Sequence, residues 1–377
     1  MVKLVLFFTR GVSLSTWDQI GMFDREVALY RRLQECGVQV SFLTYGDASD
    51  LQYSLRLPGI RILCNRWGLP PRCYERWLAW LHAPYLIQGD VFKTNQINGA
   101  ELAQRAARFW RKPLIARGGY LFYENTGRVL GFDTAAAAHA RQVEQCVYTA
   151  AKRIVVTTAE MKQTITDRYN LAPEKVTVIP NYVDTDLFQP DEEKHHKQGQ
   201  LCFVGRLEPE KNTFALLEAI RDLPVELVMI GNGSLHSGLI KKAQAENLPV
   251  HFLGNLPNAE LPKHLNTAEI FILPSHYEGQ PKTLIEAMSC GLAVIGADSP
   301  GICEILRHGE TGWLCGTDPQ SIREAIQHLL QNPSLRATLG KNARIFVEQN
   351  FALDRIVETE YSLLKEIKNG AIVESNN

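Results

Sequence analysis

Short apolar runs rich in Val, Ile, Leu and Phe alternate with stretches of helical periodicity from one end of the chain to the other. In the first half the runs are Lys3–Phe8, Val38–Thr44, Ile60–Cys64, Val91–Asn95, Pro113–Ala116, Arg153–Thr157 and Lys175–Ile179. In the second half they are Leu201–Val204, Val225–Ile230, Val250–Leu253, Ile270–Leu273 and Leu292–Gly296. They are continuous rather than alternating, as expected of strands buried on both faces of a parallel sheet. Between them the spacing predicts helices, among them Asp24–Cys36, with apolar Val27, Leu29, Tyr30 and Leu33, and Thr213–Ile220. Two such stretches of similar size predict an α/β protein of two doubly wound, Rossmann-like domains.

The length of 377 residues suits two domains at roughly 150 residues each. Asp191–Gln200 is polar, lacks periodicity and follows Pro190, so it reads as a surface linker. The expected division is therefore 1–188 and 189–350. After Asn350 a terminal helix is predicted, amphipathic through Leu353, Ile356, Val357, Tyr361, Leu364 and Ile367, with Asn369–Asn377 as a frayed tail.

Composition removes several classes. A charged fraction of 21% with ordinary Gly and Pro excludes a disordered or collagen-like chain. No apolar run approaches the ~20 residues that span a bilayer, and MVKLVLFFTRGVS reads as a first strand rather than a signal peptide. The eight cysteines (36, 64, 73, 146, 202, 290, 303 and 315) form no CxxC pair, which argues against a zinc site or disulfide framework and fits a reducing cytoplasm. Charge is uneven: residues 1–190 hold 23 Lys and Arg against 17 Asp and Glu, and residues 191–377 hold 17 against 24. The basic excess lies mostly between Arg56 and Lys112 and suits an anionic ligand or the inner face of a membrane. A solvated basic face explains it equally well.

In open parallel sheets ligands bind beyond the carboxyl ends of the strands, where helix N-termini present N–H groups. Four loops of the second half carry a signal there. In Gly205-Arg206-Leu207-Glu208-Pro209-Glu210-Lys211-Asn212 two cations flank a helix start, a site for a diphosphate unless Arg206 and Lys211 simply pair with Glu208 and Glu210. Gly231-Asn232-Gly233 allows close approach to the backbone, although a plain turn explains it as well, and Gly238 breaks a dinucleotide fingerprint. Gly254-Asn255-Leu256-Pro257 is a turn with backbone groups suited to a nucleobase edge. The strongest loop is Ser275-His276-Tyr277-Glu278-Gly279-Gln280-Pro281-Lys282-Thr283-Leu284-Ile285-Glu286. Pro281 is expected at the first helical position, and Glu286 falls among apolar neighbours where a carboxylate needs hydrogen-bond donors. Ribose hydroxyls would supply them; an internal pair or cap is the alternative.

These residues resemble the retaining glycosyltransferases of family 4, which have the GT-B fold of two Rossmann-like domains facing a cleft. The matching segments are IPNYVDTDLF at 179–188, GRLEPEKN at 205–212, EGQPKTLIEAM at 278–288, CGLAVIGADSPGICEIL at 290–306 and GETGWL at 309–314. The resemblance implies an acceptor-side domain over 1–188 joined by a crossover helix at 351–377, and a nucleotide-sugar-binding domain over 189–350. It implies that Arg206 and Lys211 hold the donor diphosphate, that Glu286 binds the ribose, and that Glu278 with the backbone of Gly279, Gln280, Pro281, Lys282, Thr283 and Leu284 holds the donor sugar. Gly205, Gly231 and Asn255 complete the donor side, and Gly11 after the first strand lets the backbone approach the phosphates. Many members carry a His after the fifth strand; here that region reads Ala116-Arg117-Gly118-Gly119-Tyr120. Arg117, Tyr120 or a backbone carbonyl is left to serve, or Arg117 ties loops together.

The implied function is transfer of a hexosyl group with retention from a nucleotide-diphosphate sugar, UDP- or GDP-linked, to a glycan, lipid-linked or small-molecule hydroxyl in polysaccharide or glycolipid assembly. No metal is expected, since no Asp-x-Asp loop lies next to a strand end, and no cofactor beyond the sugar nucleotide. Two other readings are a sugar-nucleotide-binding subunit that has lost catalysis and a phosphorylase of related architecture; the absence of a pyridoxal-type lysine motif counts against the second. Arg61, Arg66, Arg72 and Arg76 with Trp67, Trp77 and Trp80 form a basic, aromatic cluster suited to a membrane interface. The helical spacing of Tyr74, Trp77, Leu78 and Leu81 instead favours packing in the domain core.

Overall fold

The computed structural model describes residues 1–191 and 196–375, with side chains as far as Ala371. The chain divides into two compact units: unit 1 holds Met1–Gln19, Glu26–Pro180 and the chain from Ile356 onward, and unit 2 holds Ile20–Arg25 and Asn181–Arg355. Residues 192–195 of the expected linker lie outside the described residues, and its last residue, Gln200, already belongs to a strand.

Unit 1 is built on seven parallel strands: β1 (Val2–Phe7), β2 (Val38–Asp47), β3 (Arg61–Asn65), β4 (Val91–Thr94), β5 (Leu114–Gly118), β6 (Arg153–Val156) and β7 (Val176–Val178). They lie in the order β3-β2-β1-β4-β5-β6-β7. The interior strand β1 pairs Val2 with Val38 on one side and Leu4 with Val91 on the other, so both its faces must be covered. The helix Phe23–Glu35 supplies part of that cover through buried Val27, Leu29, Tyr30 and Leu33, the positions its periodicity predicts. The helix Pro71–Leu81 differs from expectation. It turns Tyr74 and Leu78 inward but leaves Trp77 in solvent and Leu81 half-buried, because eleven residues present only one narrow stripe to the sheet.

Buried carboxylates order unit 1, two of them through the loop after β5 and the terminal helix. Glu144 accepts hydrogen bonds from the N–H groups of Phe122 (2.6 Å) and Tyr123 (3.2 Å) and from the Tyr169 hydroxyl (2.6 Å). It thereby caps the helix Phe122–Leu130 from outside and fixes the end of the loop after β5. Burial pushes its carboxyl above the usual range despite those donors. Glu360, on the terminal helix Leu353–Ser375, accepts from the Lys93 ammonium at 2.5 Å, and both side chains are closed off from water. The terminal helix runs through most of the tail expected to fray. Leu364 and Ile367 are buried, and Lys368 bonds the Met1 carbonyl (2.6 Å) and Asp90 (2.8 Å), which anchors its last turns.

Unit 2 carries six parallel strands: β8 (Gln200–Val204), β9 (Glu226–Ile230), β10 (Val250–Gly254), β11 (Ile270–Leu273), β12 (Ala293–Ala297) and β13 (Trp313–Cys315). Their order is β10-β9-β8-β11-β12-β13. Strand β13 is not among the predicted runs. Its three residues pair at the sheet edge with Ile295–Ala297, too short a stretch to carry a periodic signal. The sheet is wound outward in both directions from β8 and β11, so the strand order reverses between them. The loops that follow these two strands are therefore neighbours, at the switch point where such sheets bind ligands.

Candidate functional site

The loop after β8 turns at Gly205 and ends in a one-turn helix, Pro209–Lys211. Asn212 then adopts a left-handed conformation (φ 55°) at the start of the helix Thr213–Ile220. Its side-chain amide donates to the carbonyls of Pro274 (3.2 Å) and Thr317 (2.7 Å), which ties this loop to the one after β11. A second tie runs from the His276 N–H to the Glu210 carbonyl at 2.8 Å.

These ties bring Lys211 to Glu278. The Lys211 ammonium lies 2.5 Å from Glu278 Oε1, with both side chains nearly buried, and the Ser275 hydroxyl donates to the same oxygen at 2.7 Å. The surface pairing considered from the sequence is thus only half realised. Arg206 does meet Glu210 at 2.9 Å and is 73% exposed, whereas Lys211 turns inward. Glu208 goes elsewhere, accepting from the Ser234 hydroxyl (2.5 Å) and N–H (3.0 Å), and these bonds hold its carboxyl below the usual range.

The loop that carries Glu278 is braced from behind. The Glu278 N–H donates to the Pro300 carbonyl (2.9 Å), and Ser299 Oγ donates to the Ser275 carbonyl (2.8 Å). Gly301 (φ +80°) lies so close that a Cβ would sit 2.4 Å from the Glu278 carbonyl oxygen. Gln280 is also part of this frame: its side-chain oxygen accepts from the Asn181 N–H, and its carbonyl accepts from Asn181 Nδ2 at 2.8 Å. Pro281 is the N-cap of the helix Lys282–Ser289, one position earlier than expected. The Leu284 side chain is wholly inside the core, so only its backbone can reach a ligand; Thr283 and Leu284 offer first-turn N–H groups. Lys282 sits over the Tyr182 ring at 5.9 Å.

Glu286 projects from that helix and is 1% exposed. Its Oε1 accepts from Asn258 Nδ2 (3.0 Å) and Arg25 NH1 (3.3 Å), so the internal pairing weighed from the sequence is present. Its Oε2 is buried and has no hydrogen-bond partner. Burial, with the nearby Glu286 charge, pushes the neighbouring Cys290 thiol up to about 12.

Arg25 and Asn258 had no role in the sequence reading. Asn258 lies in the turn region that follows β10 and donates its own N–H to the Gly21 carbonyl at 3.0 Å. Its place just after Gly254-Asn255-Leu256-Pro257 was the available signal. Arg25 stands 261 positions from Glu286 in a segment that reads as the start of an ordinary helix, so nothing local points to it. Gly231 is explained differently from the expectation. At φ +134° its α-carbon lies against the Gly205 carbonyl, which a Cβ would meet at 1.9 Å, so the glycine serves the crossing of two loops. Asn255 is exposed beside it.

Gly11, Arg117 and Tyr120 belong to unit 1. Gly11 has φ +75° with open space around it. Arg117, on β5, sends NH1 to the Asn95 carbonyl at 3.4 Å and its N–H to Thr94 Oγ1 at 2.9 Å. Tyr120 is half-buried in the loop that Glu144 closes. Among the described residues no three His, Cys, Asp or Glu side chains gather as metal ligands would, all eight cysteines are free, and no helix is long and apolar enough to cross a membrane.

Two Rossmann-like units, one with its candidate site at a strand-order switch, have the architecture of the GT-B fold, and solved structures share it. Sucrose-phosphate synthase from Thermosynechococcus elongatus superposes with a TM-score of 0.83 at 20% identity over 98% of this chain and 100% of that one. Anabaena HepE in complex with UDP-glucose gives 0.75 at 17% identity, covering 97% of this chain and 100% of that one. In sequence, the D-inositol 3-phosphate glycosyltransferase of Frankia alni is 26% identical, over 87% of this chain and 90% of its own. The family described as "Glycosyltransferase Family 4" matches residues 27–187, and "Glycosyl transferases group 1" matches residues 184–346. The chain belongs to this family of glycosyltransferases and is an enzyme.

Proposed function

We propose that the enzyme transfers a hexosyl group with retention from a nucleoside-diphosphate sugar to a hydroxyl acceptor, and that it needs no metal. The observation that carries this reading is Glu286, a buried carboxylate with one oxygen clamped by Arg25 and Asn258 and the other without a partner. A vicinal diol such as a ribose offers the donors that this oxygen lacks. The UDP-glucose in the HepE complex makes uracil the first nucleobase to test.

In the reaction the bond between the sugar's anomeric carbon and the diphosphate oxygen breaks, and the acceptor oxygen bonds that carbon on the same face. The acceptor proton passes to the departing phosphate oxygen, and a nucleoside diphosphate leaves. Negative charge grows on the diphosphate, and fixed cations and helix N–H groups aimed at it are the largest lever available to a protein. Here these are Lys211, Arg206 and the first turn of Lys282–Ser289. In the resting site Glu278 neutralises Lys211 at 2.5 Å, so the arriving diphosphate competes for the ammonium and frees Glu278 for the sugar hydroxyls. The D-inositol 3-phosphate of the Frankia relative's name makes a phosphorylated polyol one acceptor to assay beside glycans and lipid-linked sugars.

The test is a transfer assay with UDP- and GDP-sugars in the presence of a chelator, with the product anomer read by NMR. Transfer with retained configuration is expected. Glu286→Gln should weaken nucleotide binding by about tenfold or more, the loss of a charge-assisted hydrogen bond. Unchanged binding in that variant, strict dependence on added metal or an inverted product would overturn the reading.

A further inference from the structure

The outer face of the helix Pro71–Leu81 takes no part in the chemistry above. Tyr74 and Leu78 face inward, Arg72, Arg76 and Trp80 line the opposite side, and Trp77 flanks the buried stripe with its ring half in solvent. Trp77 is 52% exposed, Trp80 55% and, on the preceding turn, Trp67 40%. Trp80 extends the face sideways, packing on Phe109 at 4.7 Å between ring centroids. Phe109, the last residue of the helix Ala100–Phe109, is itself half in solvent, and Trp110 Nε1 just beyond it holds that helix to Pro71–Leu81 by donating to the Ala79 carbonyl at 3.1 Å.

Arginines lie against aromatic rings in this part of the chain. Arg66 lies 4.9 Å from the Trp67 ring, Arg76 6.0 Å from Trp77, and Arg61 4.7 Å from Tyr85. Between Arg56 and Gly89 the sequence holds five arginines and one acid, Glu75, and that acid is taken by Arg10 at 3.1 Å. Among the described residues Arg61, Arg66, Arg72 and Arg76 have no carboxylate partner. Protein–protein interfaces also enrich Trp and Arg, which is why self-association is one outcome of the test below. Four arginines without a carboxylate partner beside half-exposed indoles match the boundary layer of an anionic bilayer, where indole rings sit at headgroup depth and guanidinium groups meet phosphates.

We propose that this face seats unit 1 on an anionic phospholipid bilayer, as a peripheral contact in which Trp77, Trp80 and Trp67 enter the headgroup region and Arg61, Arg66, Arg72 and Arg76 meet lipid phosphates. The full chain is mixed with vesicles of phosphatidylcholine alone or with added phosphatidylglycerol. Binding is followed by co-sedimentation, and the depth of the indoles by quenching with brominated lipids. Binding to the anionic vesicles only, weakened by salt, is expected. Arg72→Glu with Arg76→Glu should lower vesicle partitioning by about tenfold or more, and Trp77→Ser with Trp80→Ser should remove most of the quenching and leave only the share of Trp67. Nucleotide binding, measured on the same variants, checks that they are folded. Three results would overturn the proposal: no binding to anionic vesicles at low salt, binding indifferent to both double variants, or self-association through Trp77 and Trp80 without vesicle binding.

Discussion

Lys211→Met separates the structural from the catalytic work of the central ion pair. The substitution keeps the length of the side chain and removes its charge, leaving Glu278 nearly buried with Ser275 as its remaining side-chain donor. Breaking a buried pair by removing one partner costs about 3–5 kcal/mol. The Ser275 hydroxyl and the small residual exposure place this case at the low end, about 3 kcal/mol. For a unit of this size that lowers the unfolding midpoint by about 6–12 °C. The assay is calorimetric unfolding of Lys211→Met, Glu278→Gln and the double variant. The double variant should recover most of the loss, because it leaves no unpaired charge. In the transfer assay Lys211→Met should fall by about 10²–10³, the usual effect of removing one donor from a site of developing negative charge. An unchanged midpoint in Lys211→Met would refute the energetics, and near-normal transfer would refute the catalytic role.

Three further outcomes follow from packing. Burial first, and Arg66 second, pull the His82 imidazole down to about 4, against an ordinary value of 6.5. Its folded-state value is the lower one, so the unfolded chain binds more protons between those limits; stability is full above about pH 6.5 and drains as pH falls toward 4. Urea unfolding should lose about 2–3 kcal/mol between pH 7 and pH 4.5, and His82→Gln should flatten that dependence. Gly231→Ala would drive a Cβ into the Gly205 carbonyl at a φ of +134°, so it should destabilise unit 2 by about 2–4 kcal/mol, read by denaturant midpoint. Lys93→Met strands Glu360 in the core, and hydrogen exchange should show faster opening of Leu353–Ser375; Lys93→Met with Glu360→Leu should reverse much of it.

Much of the fold was written in local pattern. Twelve runs marked twelve of the thirteen strands, most of which are covered on both faces and so continuously apolar, although the edge strand β10 is half-exposed. The edge strand β13 escaped because three residues, two of them only half-covered, need no such run. The candidate site was legible wherever one loop carried its own chemistry, as with Arg206, Lys211, Glu278 and Glu286. What no local pattern could give was partnership across the chain. That Lys211 would choose Glu278 over Glu210, and that Arg25 and Asn258 would clamp Glu286, depend on which loops the strand order makes neighbours. Trp77 shows the converse error: helical spacing with Tyr74 and Leu78 pointed it at the core, yet the helix turns only a narrow stripe inward.

The sharpest check is calorimetric titration of the wild-type enzyme and Glu286→Gln with UDP and with 2′,3′-dideoxy-UDP. If the unpartnered oxygen of Glu286 receives the ribose diol, the wild type should bind UDP about tenfold or more tightly than the dideoxy analogue, and Glu286→Gln should bind the two alike. Equal affinity of the wild type for both nucleotides would contradict it.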